Sequence, residues 1–429
     1  MDNVSNILSD SYCGKTVSLR GWVYRIRTSG KVSFLVLRDA TNVIQCVARA
    51  SDLQEEMFKQ FSSLTIESSL MVEGEVSKDE RAITGFELKV KDFKIYQRND
   101  NFPVSKDISE EFELDNRHLW IRSREFNAIL KIRSTVFTAF RQYFLSQGFY
   151  DVQPPLMVST ATEGGSTLFK VPFFGENAYL TQSSQFYLET FIFSLEKVFT
   201  VSPSFRAEKS RTWRHLTEYW HAEGEVAWVN NEEMMEIEEK MIHFIISEVL
   251  SKNLGELKIL GRDIDALKES LKPFRRIPYK ELIDMSESLG MPLKYGDDLG
   301  ADEEKKIMSN FKTPLFITDF PASLKTFYHQ PNPEKQDEIL CHDLLAPEGY
   351  GEIIGGGERI WELEVLQHRI RESGFNEEDY YWYLDLRKYG SIPHSGFGLG
   401  LDRLCMWIMH LDKITGAIAY PRTVRRLKP

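Results

Sequence analysis

Apolar and polar positions alternate with the two-residue period of a half-buried strand along Thr16-Val17-Ser18-Leu19-Arg20-Gly21-Trp22-Val23-Tyr24-Arg25. A Ser29-Gly30-Lys31 turn separates this run from a second one, Val32–Asp39, and a third follows over Asn42–Ala48. Residues 53–62 read as a short helix, and Ser69–Val76 and Phe86–Phe93 bring the strands to five. Residues 99–112 are polar and acidic without periodicity, the mark of a linker. From residue 122 the period lengthens to that of a helix, which runs to Ser146 and stops at Gln147-Gly148. Beyond it, short apolar strands mix with helices, with no regular alternation of strand and crossover helix.

Three strands, a helix and two strands is the order of an OB-fold barrel, a fold that binds single-stranded nucleic acid through a basic groove and stacking aromatics. The pattern predicts an α+β chain: a barrel over 1–98, a hinge over 99–120 and a larger domain over 121–429. Neither of the common glycine-rich phosphate loops is present, so a nucleotide enzyme built here is not of the Rossmann or P-loop kind.

The net charge of −11 argues against a nucleic-acid partner, but its distribution argues for one. Residues 1–100 carry 14 Lys and Arg against 14 Asp and Glu, so the acidic excess lies downstream. Within residues 11–51, Lys15, Arg20, Arg25, Arg27, Lys31, Arg38 and Arg49 face Asp39 alone, a local charge of +6. That is either a phosphate-binding face or a solvated pair of strands. Phe34, inside this stretch, is either a stacking platform or a core residue. No apolar run reaches 18 residues, and Met1-Asp2-Asn3-Val4 has no apolar leader, so neither a membrane span nor a secretory signal is predicted. Four scattered cysteines without metal-ligand spacing read as thiols of a reducing cytoplasm, not as a zinc site.

Three segments carry chemistry. Phe144–Pro155 is the end of the long helix, a glycine and a strand closing in two prolines. Phe205-Arg206-Ala207-Glu208, a short loop and Arg214-His215-Leu216-Thr217-Glu218-Tyr219 form a strand hairpin rich in charge. His394-Ser395-Gly396-Phe397-Gly398-Leu399-Gly400-Leu401-Asp402-Arg403-Leu404 sets alternating glycines before a helix carrying arginine. Together they resemble motifs 1, 2 and 3 of the class II aminoacyl-tRNA synthetases, and the N-terminal barrel selects the aspartate/asparagine/lysine subgroup. The closing Pro421-Arg422-Thr423 also resembles the end of that subgroup.

The resemblance implies ATP and Mg2+, a tRNA partner and a homodimer joined through motif 1. It also implies a chemistry that suits the residues. When an amino-acid carboxylate attacks the α-phosphate of ATP, charge gathers on oxygens that a fixed guanidinium can hold. Arg206 would hold the α-phosphate, Glu208 would accept from the adenine amino group, and Arg214 and His215 would meet the outer phosphates. Tyr219 would stack on adenine, with Leu216 and Gly400 lining the nucleotide, and Arg403 would lie across the ring and reach the γ-phosphate. Asp343 and Glu352 are the metal candidates, although the family's usual serine near Glu352 is Gly355 here and the spacing from Asp343 to Glu352 is longer than usual. On the barrel, Phe34 and Gln45 would read the middle anticodon base, and Arg25 and Arg27 would serve the backbone.

For the amino acid, the resemblance implies Glu163, Ser183, Gln185 and Glu223 around the ammonium, Arg359 reading the side chain, and His394 among the binding residues. Where aspartate enzymes carry a lysine three residues after Gln185, this chain has Leu188 and then Glu189. One cation, Arg359, and one carboxylate, Glu189, suit a carboxamide, so asparagine is favoured. An aspartate-charging enzyme, including a non-discriminating one, and a paralogue that makes asparagine through an adenylate are the alternatives.

Overall fold

The alternation in the first hundred residues becomes five strands: β1 Thr16–Ser29, β2 Val32–Arg38, β3 Val43–Arg49, β4 Ser69–Lys78 and β5 Phe86–Gln97, with helix α1 Glu55–Ser62 between β3 and β4. They close in the order β1-β2-β3-β5-β4, all pairs antiparallel except β3 with β5. Leu19, Val23, Leu35, Leu37, Ile44, Cys46, Leu70, Val72 and Leu88 fill the interior, taking alternate positions as the period demands. Phe34 and Gln45 fall at the opposite parity and outside that core.

The computed structural model describes residues 2–104, 108–160, 167–209, 212–288, 290–335 and 337–429. Contacts divide the chain into units of Met1–Phe112 and Glu113–Pro429. Short helices at Glu110–Asp115 and Arg117–Trp120 lie within the stretch read as a hinge. Buried Arg117 ties that stretch to the second unit by donating to Glu113 and to the Thr415 carbonyl. Composition alone does not reveal such a tether.

In the second unit, helix α2 Arg124–Ser146 starts at Ser123, whose side chain accepts from the Phe126 N–H. It ends before Gly148, whose φ of +79° suits glycine at a helix stop. Strands β6 Tyr150–Asp151, β7 Met157–Val158, β8 Lys170–Phe173 and β9 Glu176–Leu180 follow, then helix α3 Gln185–Leu195 and the hairpin β10 Lys197–Phe205 and β11 Glu218–Ala227. Helix α4 Asn231–Lys252 opens with a capping box between Asn230 and Glu233. Next come β12 Arg275–Pro278, helix α5 Ala301–Met308, β13 Leu315–Thr318, β14 Cys341–Ala346 and β15 Gly351–Glu358. Helices α6 Leu363–Glu372 and α7 Tyr381–Lys388, strand β16 His394–Gly400 and helix α8 Leu401–Ile408 complete the set used below.

Eight strands form one sheet in the order β12-β13-β14-β15-β16-β11-β10-β6, antiparallel except at its two edge pairs. Helices α2 and α4 cover one face. Phe140 and Phe144 of α2 pack there against Phe199 of β10 and Phe397 of β16, and truncating either α2 ring would cost on the order of 3–5 kcal/mol. Along β11, Ala222 and Val226 belong to this core, which sends residues 221, 223 and 225 to the other face. No helix among the described residues is long and apolar enough to cross a membrane.

Candidate active site

The opposite face of the sheet holds two adjoining cavities. The first, of about 530 Å³, is lined by Arg206, Arg214, His215, Leu216, Tyr219, Glu352, Gly400 and Arg403 among others. Residues widely separated in sequence thus share one wall, because β10, β11, β15 and β16 are neighbours in the sheet. Glu208 lines a smaller recess beside it, with Arg206, His215 and Thr423. The Arg206 guanidinium stands 5.6 Å from the centre of the Tyr219 ring, and its backbone N–H donates to Thr217 at 3.0 Å, closing the hairpin end. Arg403 donates from Nη1 to the Glu352 carbonyl at 3.0 Å and to its carboxylate at 3.1 Å. Arg214 is engaged too: buried Glu304 of α5 takes its guanidinium through both oxygens and also accepts from the Glu352 N–H. Burial and the charges of Arg403, Arg214 and Arg206 push the His215 imidazole down to about 4.

The second cavity, of about 820 Å³, is lined by Ser183, Gln185, Leu188, Glu223, Glu225, Lys325, Asp343 and Arg359 among others. Arg206, His221, Glu352 and Gly398 line both cavities. Glu223 accepts from the Ser183 hydroxyl and from the Ser184 N–H, so its carboxylate is fixed in place on the cavity wall. Glu163 lies outside the described residues.

Glu189 and His394 take a different place from the one the sequence implies. Glu189 is fully buried and is not among the residues lining the second cavity. Its oxygens accept from Gln185 at 3.0 Å, Tyr383 at 2.8 Å and Arg387 at 2.6 Å, with His394 Nε2 at 3.1 Å. Burial alone would raise this carboxyl, but Arg387, His394 and Arg359 hold it well below the usual range. The carboxylate that meets Arg359 is Glu225: Nε reaches Oε1 at 3.1 Å and Nη2 reaches Oε2 at 3.2 Å. Burial raises the Glu225 carboxyl, against the pull of Arg359, and Glu189 adds to the rise. Gly396 makes this arrangement possible, since a Cβ there would overlap the Glu225 carboxylate. A Cβ at Gly398 would likewise crowd the His221 ring.

Glu225 had a readable signal. It stands two residues after Glu223 and four after His221 on one strand, so all three share a face. Lys325, Tyr383 and Arg387 had none, because loops and distant helices deliver them.

Asp343 and Glu352 flank Gly355, where an ideal Cβ would be 3.6 Å from the first carboxylate and 3.5 Å from the second. Lys325 donates to both Asp343 oxygens, at 2.6 and 2.5 Å. Burial, and Glu352 nearby, raise Asp343 to about 6 in spite of Lys325. Burial would raise Glu352 as well, but Arg403, Lys325, Arg214 and Arg206 take it to about 2. Glu189, Glu225 and His394 also converge, with donor atoms within 4.8 Å of one another, but Arg387 and Arg359 already neutralise the two carboxylates.

On the barrel, register sets Arg27 opposite Phe34, and sets Arg25, Val36 and Gln45 in one row across three strands. The Arg27 guanidinium lies 4.8 Å from the Phe34 ring centre. The four residues therefore share one outer patch, and Phe34 is not a core residue.

A family model described as tRNA synthetases class II (D, K and N) matches residues 109–424, and one for an OB-fold nucleic acid binding domain matches residues 17–96. The chain belongs to the class II tRNA synthetases of the D, K and N group. Among members of this family, it is 60% identical over 429 residues to an asparagine–tRNA ligase of Thermoplasma acidophilum, covering 100% of both chains. It is 48% identical over 417 residues to the one of Thermococcus kodakarensis, covering 97% of this chain and 96% of the other. The crystal structure of asparaginyl-tRNA synthetase from Pyrococcus horikoshii complexed with asparaginyl-adenylate matches with a TM-score of 0.96. Identity there is 45%, over 99% of this chain and 98% of that one.

Proposed function

We infer that this class II synthetase is an asparagine–tRNA ligase: it activates asparagine with ATP and transfers it to the 3′ end of tRNA. The Arg359–Glu225 pair on the wall of the second cavity carries the choice of amino acid. A carboxamide offers one acceptor and one donor, which Arg359 and Glu225 match. Aspartate would set a second carboxylate against Glu225 in a buried site. Sequence identity of 46–60% to asparagine–tRNA ligases over nearly the full chain supports the same reading.

The two cavities order the first step. ATP fits the arginine-lined cavity, with Tyr219 for adenine and Arg403 and His215 toward the outer phosphates. The amino acid fits the second, its ammonium against Glu223. Arg206 lines both, so it stands where the α-carboxylate meets the α-phosphate. The carboxylate oxygen attacks phosphorus, pyrophosphate leaves, and the guanidinium holds the charge gathered on the phosphate oxygens. In the second step a ribose hydroxyl of the tRNA attacks the acyl carbon and AMP leaves. Asp343 and Glu352 suit a hard divalent cation, being two oxygen donors flanking Gly355, with Glu352 raising the Asp343 carboxyl. Mg2+ bound there would offset negative charge on the triphosphate. The outer patch of Arg25, Arg27, Phe34 and Gln45 is the anticodon face in this reading, and the motif 1 region joins two copies of the chain.

Amino-acid-dependent pyrophosphate exchange, run in parallel with asparagine and aspartate, tests the assignment. Exchange with asparagine should exceed that with aspartate by a factor on the order of 10⁴. Preference for aspartate would overturn it.

A further inference from the structure

We propose that Arg387 is a positioning residue for amino-acid selection, acting through Glu189 to keep Arg359 on Glu225. The proposal rests on the Arg359–Glu225 reading above and extends it to side chains that do not line the cavity.

Two carboxylates and two guanidiniums are packed into one buried layer. Glu189, Arg387, Glu225 and Arg359 are each no more than 5% exposed. Their pairing is fixed by geometry: Arg387 Nη2 is 2.6 Å from Glu189, and Arg359 takes Glu225 through two nitrogens. The pairing is not the sole one available, since donor atoms of Glu189 and Glu225 lie within 4.8 Å of each other. A cation that leaves one carboxylate therefore has the other within reach. Tyr383 reinforces the observed pairing by donating to Glu189 and by accepting from Arg387 at 3.2 Å. Among the described residues Arg387 Nη1 is buried with no hydrogen-bond partner, and the ion pair this side chain makes is with Glu189.

The backbone carries the same message. Arg387 Nε donates to the Ile360 carbonyl at 2.8 Å, and the Arg359 N–H donates to the His394 carbonyl at 2.9 Å. His394 in turn places its Nε2 against Glu189. Both sides of Arg359 are thus held by members of one network, whose remaining anion is Glu189. Removing Arg387 would leave Glu189 buried with a weakened counter-charge. Arg359 is the other guanidinium whose charge acts on Glu189, and its move toward Glu189 would leave Glu225 exposed to the substrate without its donor partner.

Kinetics of pyrophosphate exchange separate this role from mere packing. Arg387→Met should raise KM for asparagine roughly 10-fold or more while KM for ATP stays within about twofold. The double variant Glu189→Gln/Arg387→Met removes both charges, so its KM should return to within roughly threefold of wild type, a coupling that lost packing would not produce. Unchanged KM in Arg387→Met, an equal rise for both substrates, or a double variant as impaired as the single one would overturn the proposal. Should Arg387→Met fail to fold, Glu189→Gln alone decides. It frees Arg387 to compete for Glu225 and should lower the asparagine-to-aspartate preference about tenfold; an unchanged preference overturns the proposal. Wild type is measured alongside with both amino acids. A wild-type preference for aspartate would refute the asparagine reading, while the KM pattern, read with the preferred amino acid, still judges Arg387.

Discussion

His215 stands among Arg206, Arg214 and Arg403, and its ring is held down to about 4 against an ordinary 6.5. The neutral imidazole is therefore the form in the free protein at neutral pH, able to donate one N–H to phosphate without adding a fourth cation. Between pH 6.5 and 4 the unfolded chain binds the proton that the folded one refuses, so this residue makes stability fall as pH falls through that window. Melting curves of wild type and His215→Gln should converge above pH 7 and separate below about pH 6, with the variant less sensitive to acid. Parallel curves across the range would mean that the ring is not held neutral. Arg206, His215 and Arg403 were picked out in the sequence through the resemblance of their segments to motifs 2 and 3, and the fold brings them to one cavity wall. Glu189 misled because position along a helix does not say which carboxylate faces a cavity; here Arg387, brought in by α7, captures it, and Glu225 takes the place beside Arg359.

At the scale of elements, the barrel strands were readable because a strand buried on one side writes its period into the sequence, as Val17 and Leu19 alternating with Thr16, Ser18 and Arg20 do; in β2 buried Leu35 and Leu37 alternate with Phe34 and Val36. The same parity places Phe34 outward, where Arg27 lies against its ring. Phe34→Ala should lower tRNA charging about tenfold, as base–aromatic stacking is worth roughly 1–3 kcal/mol, and leave pyrophosphate exchange unchanged. Equal loss of both activities would make the ring a structural element of the barrel. The short strands β7, β8 and β12 left no such signal, since two to four residues cannot display a period. The helices near residue 115 were hidden for another reason: helices this short need tertiary partners, and Arg117 finds one in Thr415, about 300 residues away, which no local pattern encodes.

At the scale of the molecule, the region around motif 1 exposes apolar side chains in a single chain: Leu145 is 55% exposed, Tyr150 54% and Met157 52%. Such a cluster favours coverage by a symmetric copy. Sedimentation at micromolar concentration should therefore give about twice the chain mass of 49.9 kDa, and Tyr150→Glu should shift it toward one chain. A wild-type species of single-chain mass would remove motif 1 from the assembly. Within one chain, the wall common to both cavities has a thermodynamic corollary. In the function proposed above, Arg206, His221 and Glu352 face both substrates, and the expected outcome is that the two do not bind as independent events. Whatever factor the nucleotide imposes on the affinity for the amino acid, the amino acid must return to the nucleotide, and the free energy of the ternary state belongs to the pair.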